Sequence, residues 1–395
     1  MLQIAAEAVR GALAVPVFGR GHVREVAVPE LGLTARAVPL PGDRFYAFLD
    51  VPAVDAPRAV RVQAGDDDAT MHCEPPATPG TVEAEVVVCM ATFRPSLDLL
   101  ARQFDSIRAQ TETGWRCVIS DDGSPPETLD AIRAMIDERF VLIVGPHLGF
   151  YRNFEHALEQ VGPATRYVAL ADQDDHWRPD KLAVLAEALE RSGAELAYSD
   201  CRVVDSGGRV LRDSFYSPRR NNPDDLRALL LANSAPGASM LVRRELIHRA
   251  LPFPVPFGLA FHDHWLAVLA RAGGGLEFVA DTLWDYVQHG ANVAGHQTAQ
   301  ASGRRGWAGR YGRVYRDDLL RVLSLAGTLE LRAAASLTPA DRATIRALRE
   351  IETDRGAQAA LIAHGLRARA DPAAAPTAAI ELDLALAMMW RRFRA

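Results

Sequence analysis

The chain has 395 residues, of which 49% are hydrophobic and 24% are charged, and these values are ordinary for a soluble globular protein. Its formal net charge is −6 and its pI is about 6.0, so the overall charge gives no reason to expect binding to nucleic acid. No uncharged run reaches the roughly 18 to 20 residues that a membrane-spanning helix needs. The length predicts two or three units, each able to bury a core.

Cysteine usage and the start of the sequence indicate the compartment. Cys73, Cys89, Cys117 and Cys201 show no C-x-x-C spacing, which predicts reduced core residues and not a disulfide or zinc framework. The first residues lack the basic stretch that precedes the apolar part of a secretory signal. We therefore expect a protein that is made and kept in the cytoplasm.

Residues 1–80 predict a small β-rich domain. Short apolar runs such as "VREVAV", "RFYAFLDV" and "RAVRVQA" are separated by turn residues, a pattern typical of strands. The stretch "EPPATPG", residues 74–80, predicts a linker because clustered prolines cannot continue a strand ladder or a helix.

Residues 81–300 alternate between strand and helix patterns. Continuous apolar runs at 85–91, 116–120, 140–144 and 166–171 predict strands that are buried on both faces. A helix is predicted after Ser124, which would cap it with Pro125 at the first position and Glu127 completing a capping box. A second helix is predicted to end at Gly193. This alternation predicts an α/β domain with a mostly parallel sheet, which binds ligands at the carboxyl ends of its strands.

Residues 301–395 are rich in Ala, Leu and Arg and predict a helical C-terminal region. The stretch 303–318 places five arginines among Trp307, Tyr311 and Tyr315, and the chain ends in "LALAMMWRRFRA". Helices of this composition can rest on anionic lipid or bind a lipid-linked diphosphate. The alternative is that the aromatic side chains pack on the α/β domain. The first reading predicts peripheral association with the inner face of the cytoplasmic membrane.

Acidic clusters follow two of the predicted strands, "DDGS" after 116–120 and "ADQDD" after 166–171. In extended chain, the two-residue period puts Asp172 and Asp174 on one side. Close carboxylates repel, and protonation or a cation relieves that repulsion. Mg²⁺ and Mn²⁺ prefer oxygen ligands, and Mg²⁺ often bridges one or two carboxylates to substrate phosphates. The pair therefore predicts a site for a metal-bound diphosphate, with a turn or helix cap as the alternative.

Several motifs together resemble a known family. "VVVCMATFRPSLDLL", "VISDDGSPPETL", "LGFYRNFEHAL", "YVALADQDDHWRPDKL", "FGLAFHDHWLAVLA" and "YVQHGANVAG" follow one another between residues 84 and 298. This series resembles the family 2 inverting glycosyltransferases, especially their bacterial rhamnosyltransferase-like branch. The resemblance implies a GT-A (Rossmann-like) fold, a nucleoside-diphosphate-sugar donor and a divalent metal, Mn²⁺ or Mg²⁺.

The resemblance also implies roles for individual residues. It makes Asp263 the catalytic base and assigns the metal to Asp174, Asp172 and His289. The predicted nucleotide-binding residues are Thr92, Asp121, Asp122 and Asp172. The predicted acceptor-binding residues are Gly237, Ser239, His262, His264 and Trp265.

Four of these assignments have structural alternatives. Asp263 could cap the helix that follows it, and His289 could be a hydrogen-bonded structural residue. Gly237 and Ser239 could form a tight turn that enters a strand. Trp177, which follows the acidic residues 172–175, is predicted to pack behind the acidic turn and not to contact substrate.

The sequence therefore predicts a metal-dependent inverting glycosyltransferase that moves a sugar to a hydroxyl of a growing glycan or lipid-linked glycan. Bacterial surface polysaccharide or O-antigen is the expected product, with rhamnosyl transfer as one option. One alternative is a sugar nucleotidyltransferase, although "MATFRPSLD" lacks the Gly-rich loop that this chemistry usually needs. The other is a non-catalytic glycan-binding or scaffold protein on the same fold. Donor sugar, base, linkage and oligomeric state are not selected by these residues.

Overall fold

The computed structural model describes most of the chain between residues 2 and 370. Within that range it leaves out residues 7, 41–42, 77, 217–220, 222–223, 258–259, 290–317 and 352–353. The segments 303–317 and 384–395, which carry the predicted membrane-facing side chains, therefore lie outside the described residues. No helix in the described part is both long enough and apolar enough to cross a membrane.

The first part of the chain forms two small sheets that pack on each other. Its strands are β1 (Gln3–Ile4), β2 (Val9–Arg10), β3 (Leu13–Arg20), β4 (Glu25–Val28), β5 (Leu33–Arg36), β6 (Val38–Leu40), β7 (Arg44–Val51), β8 (Arg58–Ala64) and β9 (Asp67–Glu74). The sheets have the orders β1-β3-β7-β6 and β2-β9-β8-β4-β5. In β8, Val60, Val62 and Ala64 are buried and alternate with more exposed residues, as a half-buried strand requires. The β-rich character of this region is confirmed, while its boundary at residue 80 stays a prediction.

A nine-stranded sheet lies at the centre of the described structure. Its strands are β10 (Val86–Thr92), β11 (Trp115–Asp121), β12 (Phe140–Val144), β13 (Tyr167–Ala171), β14 (His176–Trp177), β15 (Leu196–Asp205), β16 (Val210–Arg212), β17 (Met240–Arg243) and β18 (Leu276–Gln288). The order is β12-β11-β10-β13-β17-β15-β18-β14, and β16 pairs with β15. The first four are parallel, and β17 joins antiparallel to β13. These four are the strands predicted from the apolar runs.

Helices cover this sheet. They are α1 (Leu97–Arg108), α2 (Pro126–Met135), α3 (Phe150–Leu158), α4 (Lys181–Ser192), α5 (Leu226–Leu231), α6 (Arg244–Ala250) and α7 (His262–Ala272). α4 ends at Gly193, which adopts a left-handed conformation with a φ of 73°, as predicted for a glycine at this position. All four cysteines are buried and unpaired, as expected.

The predicted cap of α2 is wrong. The N-cap residue is Pro125, and no side chain caps the helix. Ser124 instead donates its hydroxyl and its backbone N–H to the Asp121 carboxylate, at 2.8 and 2.6 Å. The serine is therefore committed to the acidic turn before the helix begins.

Three helices follow the central sheet: α8 (Leu320–Arg332), α9 (Pro339–Arg349) and α10 (Arg355–Ala370). α8 lies against β3, where the backbone N–H of Ala14 donates to Thr328 Oγ1 at 3.3 Å. Gly327 permits this approach, because a Cβ added there would lie only 2.7 Å from Ala14 Cβ. The predicted helical C-terminal region is confirmed, and it shares one hydrophobic core with Tyr46 of the N-terminal sheets and with the central sheet.

An ion pair also joins α9 to the N-terminal sheets. Arg349 donates both hydrogen bonds from one nitrogen to the Asp50 carboxylate, at 2.8 and 2.7 Å, and also contacts Glu330. We expect a double-mutant cycle of Arg349→Met and Asp50→Asn, measured by chemical unfolding, to give a coupling energy of about 1 kcal/mol because the pair is only partly exposed. The exposed Arg133–Asp130 pair is the control, with about 0.3 kcal/mol expected. Equal coupling energies in the two pairs would show that the Arg349–Asp50 pair does not stabilise the contact between α9 and the N-terminal sheets.

Candidate active site

The carboxyl ends of three parallel strands bring the predicted donor-side residues to one edge of the sheet. Thr92, the last residue of β10, is in register with Asp121, the last residue of β11. On the other side of β10, Met90 pairs with Ala171, and Asp172 follows directly. Residues as far as 80 positions apart in the sequence therefore come into contact at this edge, because the parallel strands end there.

The Asp121 carboxylate is fully engaged within its own turn. Its Oδ2 accepts hydrogen bonds from the hydroxyls of Thr92 (2.9 Å) and Ser124 (2.8 Å). Its Oδ1 accepts from the backbone N–H groups of Gly123 (3.1 Å) and Ser124 (2.6 Å). The side chain is completely buried. These contacts shape the turn, and the predicted contact of Asp121 with a nucleotide stays a prediction.

Asp121→Asn is expected to destabilise the fold by about 1–3 kcal/mol, because the new amide would turn donor atoms toward donor groups that had an acceptor. Chemical unfolding measures this loss. Asp130→Asn, on the exposed surface of α2, is the matched control and should lower stability by only about 0.3 kcal/mol. Equal stability of both variants would show that the turn does not depend on the carboxylate.

Asp122 fixes a second loop beside the first. Its two oxygens accept the backbone N–H groups of Leu148 and Gly149, at 2.7 and 2.8 Å. His147 Nδ1 lies 2.7 Å from the Asp122 carbonyl oxygen. This loop enters α3, whose Asn153 donates to the carbonyl oxygens of Thr92 and Ser120. The ends of β10 and β11 are therefore held in place by the loop after β12.

An exposed aromatic surface next to these turns was missed by the sequence predictions. The rings of Phe93 and His147 lie 4.9 Å apart, and the Arg94 guanidinium lies 5.2 Å from the Phe93 ring centroid. Phe93 is 39% exposed and Leu148 is 57% exposed, unusual values for apolar side chains. The available signal was Phe93 itself, an aromatic residue placed directly after a buried strand. Such a surface can stack a planar base.

The acidic turn after β13 contains the candidate metal ligands. His289 Nε2 lies 2.6 Å from Asp174 Oδ2, which brings together two residues 115 positions apart. Burial raises the pKa of Asp174, and the contact with His289 acts against that shift. Burial raises the pKa of Asp172 to about 7, helped by the charges of Asp174 and Asp263. Burial thus disfavours the ionised form of both carboxylates, which a bound cation would favour.

Asp263 lies at the start of α7, and its charge is among those that raise the pKa of Asp172. Asp263 Oδ2 accepts the Gly237 N–H at 2.9 Å, and its Oδ1 accepts the His264 N–H at 2.7 Å. Burial raises the pKa of Asp263 to about 6, although these hydrogen bonds and one from Asn233 act in the opposite direction. The helix-cap alternative does not apply, since the N-cap residue is Phe261.

The other predicted acceptor residues are largely committed to packing. His264 contacts the Leu229 carbonyl oxygen, and Trp265 is fully buried and donates to the Ala250 carbonyl oxygen at 2.9 Å. Ser239 is buried and donates to the Pro236 carbonyl oxygen. All three side chains bond to backbone carbonyl oxygens of the chain itself. Their direct contact with an acceptor stays a prediction, and these bonds do not support it.

His262 and Gly237 form a tight contact beside Asp263. The His262 ring stacks on Phe154 with 3.6 Å between centroids, and neither ring nitrogen has a hydrogen-bond partner among the described residues. Burial lowers the pKa of His262 to about 3, so the ring is neutral. A Cβ on Gly237 would lie 2.6 Å from His262 Nε2. Glycine is therefore required for the turn to approach Asp263.

Metal-binding side chains are not assembled into a complete site. Among residues 2–289 and 318–370, within the described ranges, no group of three or more His, Cys, Asp or Glu side chains is arranged to hold a metal ion. Asp172, Asp174 and His289 offer the oxygen and nitrogen donors that suit Mg²⁺ or Mn²⁺.

Comparison with known families agrees with this geometry. Residues 87–250 match the family Glycosyl transferase family 2. The match covers less than half of the chain, and the observed strand order and pairing confirm the predicted α/β domain with a mostly parallel sheet. The family 2 region contains Thr92, Asp121, Asp122, Asp172 and Asp174. Asp263 and His289 lie beyond it.

Curated relatives share part of this region. A glycosyltransferase of Nostoc, alr2836, is 24% identical over 205 residues, which cover 49% of this chain and 62% of the relative. The succinoglycan biosynthesis protein ExoO of Rhizobium meliloti is 33% identical over 134 residues, which cover 32% of this chain and 36% of the relative. The chain thus spans about one to two thirds of the length of these two relatives.

Among solved structures, the chain is similar to S. aureus TarS 1-349 in complex with UDP-GlcNAc, with a TM-score of 0.45, 13% identity, and coverage of 78% of this chain and 91% of that chain. It is also similar to the mannosyltransferase PcManGT of Pyrobaculum calidifontis in complex with GDP-Man and Mn²⁺. That comparison has a TM-score of 0.42 and 18% identity, and covers 80% of this chain and 90% of that chain.

Proposed function

We propose that this chain is a metal-dependent inverting glycosyltransferase that moves a sugar from a nucleoside-diphosphate sugar to a hydroxyl of a growing glycan. The observation that carries this proposal is the placement of the carboxylates by the fold: Asp172 directly follows β13, and Asp263 lies at the start of α7 and accepts the N–H groups of Gly237 and His264. Burial raises the pKa of Asp172, and the charges of Asp174 and Asp263 add to that shift, which supports a short distance between the two sides. The family 2 match of residues 87–250 supports the same reaction class.

The donor's nucleoside is proposed to lie against the edge formed by β10 and β11. The exposed rings of Phe93 and His147 would stack the base, since base–aromatic stacking contributes about 1–3 kcal/mol per base. Asp121 and Asp122 keep the two supporting turns in place, and Thr92 lies between them. This arrangement supports the predicted nucleotide site without selecting uracil, thymine or guanine.

The donor's diphosphate is proposed to lie at the acidic turn, where Asp172, Asp174 and His289 would hold a divalent metal. Mg²⁺ commonly takes only one or two carboxylates from the protein and completes its shell with phosphate oxygens and water. When bound, the metal supplies Lewis-acid neutralisation of the charge that gathers on the departing diphosphate. Burial raises the pKa of Asp172 and of Asp174, and the charge of Asp174 adds to the shift of Asp172, so a bound cation would favour the ionised form of both carboxylates.

Asp263 is proposed to take the proton from the acceptor hydroxyl. As that proton moves to the carboxylate, the hydroxyl oxygen bonds to the anomeric carbon, and the bond from that carbon to the diphosphate oxygen breaks on the opposite face. The configuration is thereby inverted. With a pKa of about 6, Asp263 is mainly ionised at neutral pH and can act as a base.

The acceptor is proposed to be a glycan or lipid-linked glycan of a bacterial surface polysaccharide, and the reaction to occur at the cytoplasmic side. The similarity to the succinoglycan biosynthesis protein ExoO supports this role. Rhamnosyl transfer and O-antigen synthesis stay proposals from the sequence. Peripheral membrane association also stays a proposal, because the basic aromatic segments lie outside the described residues.

Calorimetric titration with UDP, dTDP and GDP, each with and without Mn²⁺, is the first test. Tight binding of one diphosphate only with metal is expected, and sugars of that nucleotide would then be assayed for transfer. Consumption of a nucleoside triphosphate with release of pyrophosphate would favour the nucleotidyltransferase. A folded chain that binds no diphosphate would favour a non-catalytic glycan-binding protein.

A further inference from the structure

One buried lysine lies behind the acidic turn and is not used by the proposed mechanism. Lys181, the first residue of α4, is completely buried. It is also the only lysine among the 44 lysine and arginine residues of the chain. A buried ammonium is costly unless it is held by several favourable contacts, so the position of this group needs a physical reason.

The contacts of Lys181 join the two sides of the candidate active site. Its Nζ lies 3.6 Å from the ring centroid of Trp177, which ends the acidic segment, and 5.7 Å from that of Trp284. The same ammonium donates to the carbonyl oxygen of Ala238, between Gly237 and Ser239. Aromatic faces attract a desolvated cation through the quadrupole of the ring.

The charges around Lys181 come from the donor side. Burial lowers the pKa of the Lys181 ammonium, whereas the charges of Asp175 and Asp172 act in the opposite direction. Asp175 is itself buried, and its Oδ2 has no hydrogen-bond partner among the described residues. The geometric contacts of Lys181 are the ring of Trp177, directly after this turn, and the Ala238 carbonyl oxygen.

The turn held by Lys181 is also the turn that holds Asp263. Lys181 contacts it through the carbonyl of Ala238, and Asp263 accepts the N–H of the preceding residue, Gly237. A movement of this short segment would shift the Asp263 carboxylate relative to Asp172. Arginine, with its larger planar group, would not reproduce a single ammonium contact between two indole rings and one carbonyl.

We propose that Lys181 is a positioning residue that holds the acceptor-side turn, residues 236–239, at the distance from the acidic turn, residues 172–175, that transfer requires, through its contacts with the Ala238 carbonyl and with the ring of Trp177, which follows the acidic turn. This inference rests on the proposed function for its kinetic consequence, but the link between the two turns can be measured without turnover. Lys181 acts through Gly237 and Ala238 on Asp263 and does not contact the reacting atoms.

Lys181→Met in the full chain is expected to lower kcat about 100-fold, the effect of misplacing a reacting group by about 1 Å, while metal-dependent diphosphate binding is unchanged. Leu185→Ala, a buried change on the same helix, is the control for helix packing and should leave kcat near native at a temperature where it is folded. Native kcat in Lys181→Met would overturn the proposal. So would equal losses of kcat and diphosphate affinity in both variants.

The single lysine also permits a test that does not depend on activity. Lysine labelled with ¹³C at Cε gives one NMR resonance from this chain, and we expect it to shift in Gly237→Ala, where the new methyl group must displace the acceptor-side turn. It should also shift in Trp177→Leu, which removes the ring whose centroid lies 3.6 Å from Nζ, and stay in place in Asp130→Asn. If the resonance does not shift when either turn is changed, the link between the turns is overturned. If the resonance shifts as expected but the chain transfers no sugar, the link between the two turns is supported and only the proposed function is rejected.

Discussion

Asp263→Asn is expected to abolish measurable sugar transfer while metal-dependent binding of the nucleoside diphosphate is retained. Asparagine keeps an oxygen for the Gly237 or His264 N–H but cannot take a proton, and general-base catalysis typically contributes about 10²- to 10⁴-fold. Turnover and calorimetric affinity of the same preparation measure the two effects. Asp130→Asn is the surface control. Transfer at a near-native rate by Asp263→Asn would remove its assignment as the base.

The pH dependence of the native chain provides a companion to this experiment. Burial raises the pKa of Asp263 to about 6, and the group acts as a base only when it is deprotonated. Turnover at saturating donor is therefore expected to be full at pH 7.5 and to fall as the pH drops through about 6. A turnover rate that stays constant down to pH 4.5 would contradict the role of Asp263.

Asp174→Ala is the second prediction with a large expected effect, and it acts on the donor. We expect metal-dependent diphosphate affinity to fall by more than about 100-fold, because even groups that only orient a metal ligand contribute about 10- to 100-fold. The free energy of unfolding should not fall, because burial disfavours the ionised form of Asp174 and its negative charge repels that of Asp172.

Calorimetry with and without Mn²⁺ and a thermal melt of the same sample measure both effects of Asp174→Ala. Glu187→Ala, an exposed acidic change on α4, is the matched control. Unchanged metal-dependent affinity in Asp174→Ala would place the metal elsewhere. A large loss of stability would instead indicate that the Asp174–His289 contact serves the fold.

The strands of the donor half were predictable because their pattern is local. β10 to β13 are continuous apolar runs, and their observed ends agree with the predicted ones to within a residue or two. The acidic residues that follow them could be assigned to one sheet edge by the rule that parallel strands end together. The glycine at the end of α4 was equally readable, since its conformation depends on its own backbone.

Other features depend on contacts between distant segments and left no local signal. Ser124 has the pattern of a helix cap, but the Asp121 carboxylate binds it in the folded chain. Trp265 lies in the series that predicts an acceptor pocket, yet its ring is buried and its indole N–H bonds to Ala250. Lys181 has the pattern of an ordinary first residue of a helix. Its burial depends on the turn around Ala238, which is 57 positions away.

The contact between β3 and α8 has a consequence for the synthesis of the chain. Ala14 and Thr328 are 314 positions apart. At about 5 to 20 residues per second, the ribosome needs roughly 15 to 60 s to pass from one to the other. During that interval the apolar side of the first sheets has no covering helix, and a nascent chain with such a surface can associate with its neighbours. The period of greatest exposure to misassembly therefore ends only when the last helices leave the ribosome.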